Sequence, residues 1–144
     1  DVTIEHCNFN GNNATNGNGG AIWTDSSYDN TSIRYCEFTN NRASGDGAAV
    51  YLANKDDKLS NCDFTSNVAA GNGGAIYTTC ENVNVSDSTF SKNTADNGGA
   101  IYYQNSGNNL CIYNDTFTEN IAEFNGGAVY YNSDLELNQA NLGL

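Results

Sequence analysis

Apolar and polar positions along this chain obey one short-range rule and one long-range rule. Short runs alternate, as in Val2-x-Ile4, Val83-x-Val85 and Leu110-x-Ile112, the period of two that sends successive side chains to opposite faces of a strand. Each run precedes a phenylalanine, and Phe9, Phe38, Phe64, Phe90 and Phe117 step by 29, 26, 26 and 27 residues. Three residues after each stands Asn12, Asn41, Asn67, Asn93 or Asn120, and two further on Ala14, Ala43, Ala69, Ala95 or Ala122. A short turn then leads into Gly-Gly-Ala-Ile-Tyr or a close variant. No segment carries an apolar stripe at helical spacing, so the period marks a repeat built from strands and excludes helical repeats.

At about 3.3 Å per residue, a rung of this length travels around a closed section, and the next rung stacks about 4.8 Å above it. The expected fold is all-β: a right-handed single-stranded parallel β-helix of about five rungs of 25–29 residues, triangular or oval in section, the hand following the crossover preference. Residues 1–144 read as one β-helix segment, with Leu135 and Leu137 opening a sixth rung and Leu142 falling at its Phe position. Neither end carries a polar cap, so the segment is expected to be an excerpt of a longer solenoid.

Stacking turns repeat positions into columns. The phenylalanines fill the interior. The Asn column is expected at a corner, in the left-handed backbone that Asn tolerates, with its amides bonding from rung to rung. In the Gly pairs the first glycine is the one strictly required, since the second rung has Gly47-Ala48. After them, Ile22, Val50, Ile76, Ile101 and Val129 are placed inside, and Trp23, Tyr51, Tyr77, Tyr102 and Tyr130 outside. Length changes fall in residues 25–30 and 104–109, where loops tolerate them.

Charge narrows the partners. With 5 basic and 17 acidic residues, the formal charge is −12. That argues against nucleic acid and anionic membranes, and no apolar run is long enough to insert into a bilayer. Of five cysteines, Cys7, Cys36 and Cys62 share one repeat position that Ser88 and Asp115 occupy later. They read as a buried column of thiols whose neighbours lie within disulfide reach. Cys80 and Cys111 have no assigned partner. No Cys-x-x-Cys pair occurs, and no metal site or cofactor is expected.

The repeated Phe-x-x-Asn and Gly-Gly-Ala-Ile elements resemble those of chlamydial polymorphic outer membrane proteins and, more closely, the Asn-rich adhesin-like proteins of methanogenic archaea. The resemblance covers essentially the whole chain. It implies a β-helix passenger of a large extracellular, cell-surface protein that mediates attachment to glycans or proteins of a host or neighbouring cell. It carries no catalytic residues.

Candidate chemistry follows from the columns. The outward aromatics Trp23, Tyr51, Tyr77, Tyr102 and Tyr130 could stack on sugars or anchor a protein partner, or only brace neighbouring rungs. Sequons at Asn13, Asn30, Asn84 and Asn114 could accept N-glycans, Asn13 and Asn30 from turns. Asp56-Asp57, and Asp25 with Asp29, could offer oxygens to calcium, but fit no calcium-loop pattern and read as solvated acidic loops. Many β-helices of the pectin-lyase-like fold cleave acidic polysaccharides. Here the bases Arg34, Arg42, Lys55, Lys58 and Lys92 are scattered, His6 is the only histidine, and a non-catalytic role is expected. The competing role is a structural spacer or a filament subunit that associates end to end.

Overall fold

The computed structural model describes residues 1–27, 29–104, 109–132 and 141–143. The chain winds as a parallel β-solenoid of about five turns, and each turn spends its residues on four short strands. The first rung comprises β1 (Val2–Glu5), β2 (Asn8–Asn10), β3 (Asn13–Ala14) and β4 (Ile22–Trp23). The second holds β5 (Thr31–Arg34), β6 (Glu37–Thr39), β7 (Arg42–Ala43) and β8 (Val50–Leu52). The third holds β9 (Lys58–Ser60), β10 (Asp63–Thr65), β11 (Val68–Ala69) and β12 (Ile76–Thr78). The fourth holds β13 (Val83–Ser86), β14 (Thr89–Ser91), β15 (Thr94–Asn97) and β16 (Ile101–Gln104). The fifth holds β17 (Leu110–Tyr113), β18 (Thr116–Thr118), β19 (Ile121–Asn125) and β20 (Val129–Asn132), and β21 (Asn141–Gly143) opens a sixth.

Strands at equivalent positions pair in parallel, giving four sheets and a four-sided section rather than a triangle or oval. The reason is the number of sharp corners. Each rung turns at residues with positive φ, which in the third rung are Asp56 (58°), Asn61 (52°), Ser66 (57°) and Gly73 (68°). The third of these corners corrects the sequence expectation for the asparagines. The left-handed residue is the one before each ladder Asn: Gly11, Asn40, Ser66, Lys92 and Glu119. The ladder residues themselves enter the next strand with their side chains turned inward.

The register is strict along the Phe column and shifts by one residue only between β15 and β19, after Ala95, among the described residues. Phe9, Phe38, Phe64, Phe90 and Phe117 pair across successive rungs, with ring centroids 4.7–4.8 Å apart and planes within 6° of parallel. They pack with Ile33, Leu59, Val85, Ile112 and the aliphatic column of β8, β12 and β16 in one continuous core. A second, narrow core of Ala43, Ala48, Ala69 and Ala95 fills the corner beyond the asparagines. Beside it, a Cβ on Gly74 would run into the main chain of Gly99 and Thr94. The second glycine of that pair is therefore required by close approach of backbones, although its φ is not positive. The sixth rung differs from the expectation too: Leu142 pairs with Ile112 in the first sheet, not with the Phe column. Leu135 and Leu137 lie outside the described residues.

Candidate functional site

The aromatic column follows from alternation in the fourth sheet. In β12 the side chains of Ile76 and Thr78 enter the core, so Tyr77 between them faces away. Trp23, Tyr51, Tyr77, Tyr102 and Tyr130 pair in register. Tyr51, Tyr77 and Tyr102 stack at 4.9 and 5.1 Å, while Trp23 to Tyr51 opens to 6.4 Å and Tyr130 tilts by 43°. The rings do not form a free platform. Tyr77 and Tyr102 are only 7% and 5% exposed, whereas Trp23 is 56% exposed. The glycine turn explains the cover, since a Cβ at Gly47 would come within 3.2 Å of the Tyr77 Cβ. Tyr77 Oη donates to Gln104 Oε1 at 2.8 Å, and Asn132 Nδ2 donates to Tyr102 Oη at 3.0 Å. Burial pushes the Tyr77 phenol well above its ordinary pKa. The column therefore braces the stack at its centre and offers an exposed ring at Trp23.

Trp23 borders a cleft of about 340 Å³ at this end of the solenoid, shared with Val2, Ile4, Ile22, Thr24, Asp25, Thr31 and Asn54. Asn54 is 5% exposed, its Nδ2 donates to Thr31 Oγ1 at 2.8 Å, and its Oδ1 has no partner. A buried amide oxygen left unpaired costs about 1–3 kcal/mol.

The Asn ladder is the other continuous polar device. Asn67 Nδ2 donates to Asn93 Oδ1 at 2.9 Å and to Phe38 O at 3.0 Å, while its own Oδ1 accepts from Asn41 N and Nδ2 at 3.0 Å. The pattern runs from Asn12 to Asn120. Every amide in the interior of this stack is spent on the fold.

The sequons Asn13, Asn30, Asn84 and Asn114 are all exposed. Asn30 and Asn114 sit at left-handed corners, while Asn13 lies in β3 rather than in the expected turn, and Asn84 in β13. Asp25 and Asp29 are exposed, as is Asp56. Asp57 is not part of a solvated loop: it is fully buried, because the residue after each corner turns inward. Its Oδ1 accepts from Thr31 N at 2.8 Å and its Oδ2 from Cys80 Sγ at 3.1 Å. Desolvation raises its pKa despite these bonds. Asp115 takes the same inward role in the cysteine column, accepting from Ser88 N at 2.7 Å and Tyr113 N at 3.2 Å, with burial pushing its pKa up to about 6.

Sequence reasoning passed over several exposed side chains. Tyr35 stacks on His6 at 5.1 Å where two left-handed corners superpose, and Tyr113, Ile121 and Phe124 stand out at the far end. None belongs to a repeated residue type, so the periodicity carried no signal for them.

No curated protein and no solved structure matched the chain. A family model described as a right handed beta helix region matches residues 1–142. That family includes both non-enzymatic proteins and pectate lyase-like enzymes, so the activity has to be argued from the surface. With the match spanning nearly the whole chain and the rungs pairing in parallel in all four sheets, the protein belongs to the right-handed β-helix family.

Proposed function

We propose that this segment is a non-catalytic, extracellular attachment scaffold on a cell surface, with glycans or proteins of a neighbouring cell as partners. The observation that supports it most is the cleft beside Trp23, which sets an exposed indole beside the exposed Asp25 carboxylate. An aromatic face covers the C–H face of a sugar, and the exposed Asp25 carboxylate accepts its hydroxyls; apolar walls with few convergent polar groups are what small-ligand sites present. The four exposed sequons suit an exported chain. The non-catalytic part rests on where the perturbed carboxyls lie. General acid–base work needs a group within reach of substrate. Asp57 is closed inside the solenoid, and Asp115 is held by two main-chain amides.

A glycan array, followed by calorimetry on any hit, tests this. Trp23→Ala should lower affinity at least tenfold with an unchanged unfolding midpoint, since Trp23 is largely exposed. Tyr77→Ala should lower the midpoint and leave binding intact below it. Absence of binding to any glycan or surface protein would end the reading. A second role, a spacer or filament subunit associating end to end, is favoured by strand edges: β2, β3 and β4, and β18, β19 and β20, lie at the margins of their sheets. Concentration-dependent linear assembly in sedimentation and electron microscopy would support that role instead.

A further inference from the structure

The cysteine column has a chemistry that neither attachment nor folding uses. Glu5 pairs with Arg34 on one side of the corner and Asn8 with Glu37 on the other, so Cys7 lies directly over Cys36. In the same way Arg34 pairs with Ser60 and Glu37 with Asp63, which sets Cys36 over Cys62. All three thiols are free, and each Sγ donates to the main-chain oxygen two residues back at 3.2 Å: Cys7 to Glu5, Cys36 to Arg34 and Cys62 to Ser60. Rungs about 4.8 Å apart bring the Cα atoms within the 4.4–6.8 Å span of disulfides. The three differ in access. Cys36 and Cys62 are each 1% exposed, whereas Cys7 is open to solvent.

We propose that Cys7 and Cys36 form a site of oxidative modification that closes to a cross-rung disulfide, leaving Cys62 as a thiol. The co-reactant is a low-molecular-weight disulfide such as oxidised glutathione. The Cys7 thiolate attacks one of its sulfurs, forming a mixed disulfide and releasing one small thiol. Cys36 gives its proton to solvent and attacks the Cys7 sulfur, expelling the second small thiol. Two protein S–H bonds and one S–S bond become one protein S–S bond and two small S–H bonds, so electrons and atoms balance. Burial raises the Cys36 pKa, which makes the second step the slower one. Cys62, pushed up to about 11 and shielded from solvent, is reached by neither reagent.

The test is thiol counting and peptide mapping of the intact chain after incubation with oxidised glutathione. Titratable thiols under denaturing conditions should fall from the five of the sequence by two. Trypsin cuts after Arg34, Arg42, Lys55, Lys58 and Lys92, so a non-reducing map should join fragment 1–34 to fragment 35–42. The oxidised protein should unfold at higher temperature than the reduced one, and a reductant should reverse the rise. Cys7→Ser and Cys36→Ser should each abolish the linked fragment, and Cys62→Ser should keep it. Serine is a fair replacement here, because Ser88 holds the same column position and donates to Ser86 O at 2.8 Å. A stable glutathione adduct that never resolves, linkage of fragment 35–42 to fragment 59–92, or an unchanged thiol count would each overturn the proposal.

Discussion

Asn67 shows how a single side chain serves three rungs. It donates to the rungs on both sides and accepts from Asn41, and none of these groups can reach water. Asn67→Ala leaves the buried Asn41 N without a partner, at about 1–3 kcal/mol, and removes the side-chain bonds to Phe38 O, Asn93 Oδ1 and Asn41 Nδ2, at about 0.5–1.5 kcal/mol each. Chemical denaturation should show a loss of about 3 kcal/mol or more, and a clearly smaller loss for Asn12→Ala in the half-buried first rung. Asp115 gives a pH signature. Its folded pKa lies near 6, above the unfolded value of about 3.9. The neutral carboxyl is thus favoured by folding, and its contribution is complete below pH about 4 and lost as pH rises through about 6. The unfolding midpoint should fall between pH 4 and pH 7. Asp115→Asn, which keeps an oxygen to accept from Ser88 N, should flatten that fall; an unchanged slope would refute the assignment.

At the scale of the element, the corners decide the shape. The glycine corner depends on positive φ, as at Gly73, and on main chain passing close by, as at Gly74. Gly73→Ala should cost roughly 1–2 kcal/mol from the left-handed backbone alone. Gly17→Ala is the control, because its φ is not positive and a Cβ there meets nothing within 4 Å. Equal effects in thermal denaturation would contradict this account. The other corners tolerate Ser66, Lys92 and Glu119 at φ 55–57°. The backbone of those residues is imposed by the stack, and the ladder asparagine that follows helps to hold it. For this reason the repeated Asn gave away the ladder but misplaced the strained residue: the ladder needs one residue type, while the strained position accepts many.

At the scale of the whole molecule, each rung touches only its neighbours, so stability is a sum of rung and interface terms. Native-state hydrogen exchange should therefore be graded. The amides of β10 and β14 should be slowest, since Phe64 and Phe90 are fully enclosed. Those of the first and fifth rungs should be faster, with Phe9 and Phe117 only partly buried. Uniform exchange at one rate would mean global unfolding and refute the one-dimensional picture.

The order of residues alone determined the repeat, the interior phenylalanines, the asparagine ladder and the β-helix class. These depend on identical side chains meeting at a fixed period, and periodicity is written in the chain. Only the tertiary structure decided that four corners make a four-sided coil, that Asp57 faces inward, and that Leu142 falls beside Ile112. It also decided that Trp23 is open while Tyr77 and Tyr102, of the same column, are covered by their neighbours. Exposure belongs to a position within the stack, whereas the repeat specifies only the column, and so the surface that meets a partner could not be read from the period.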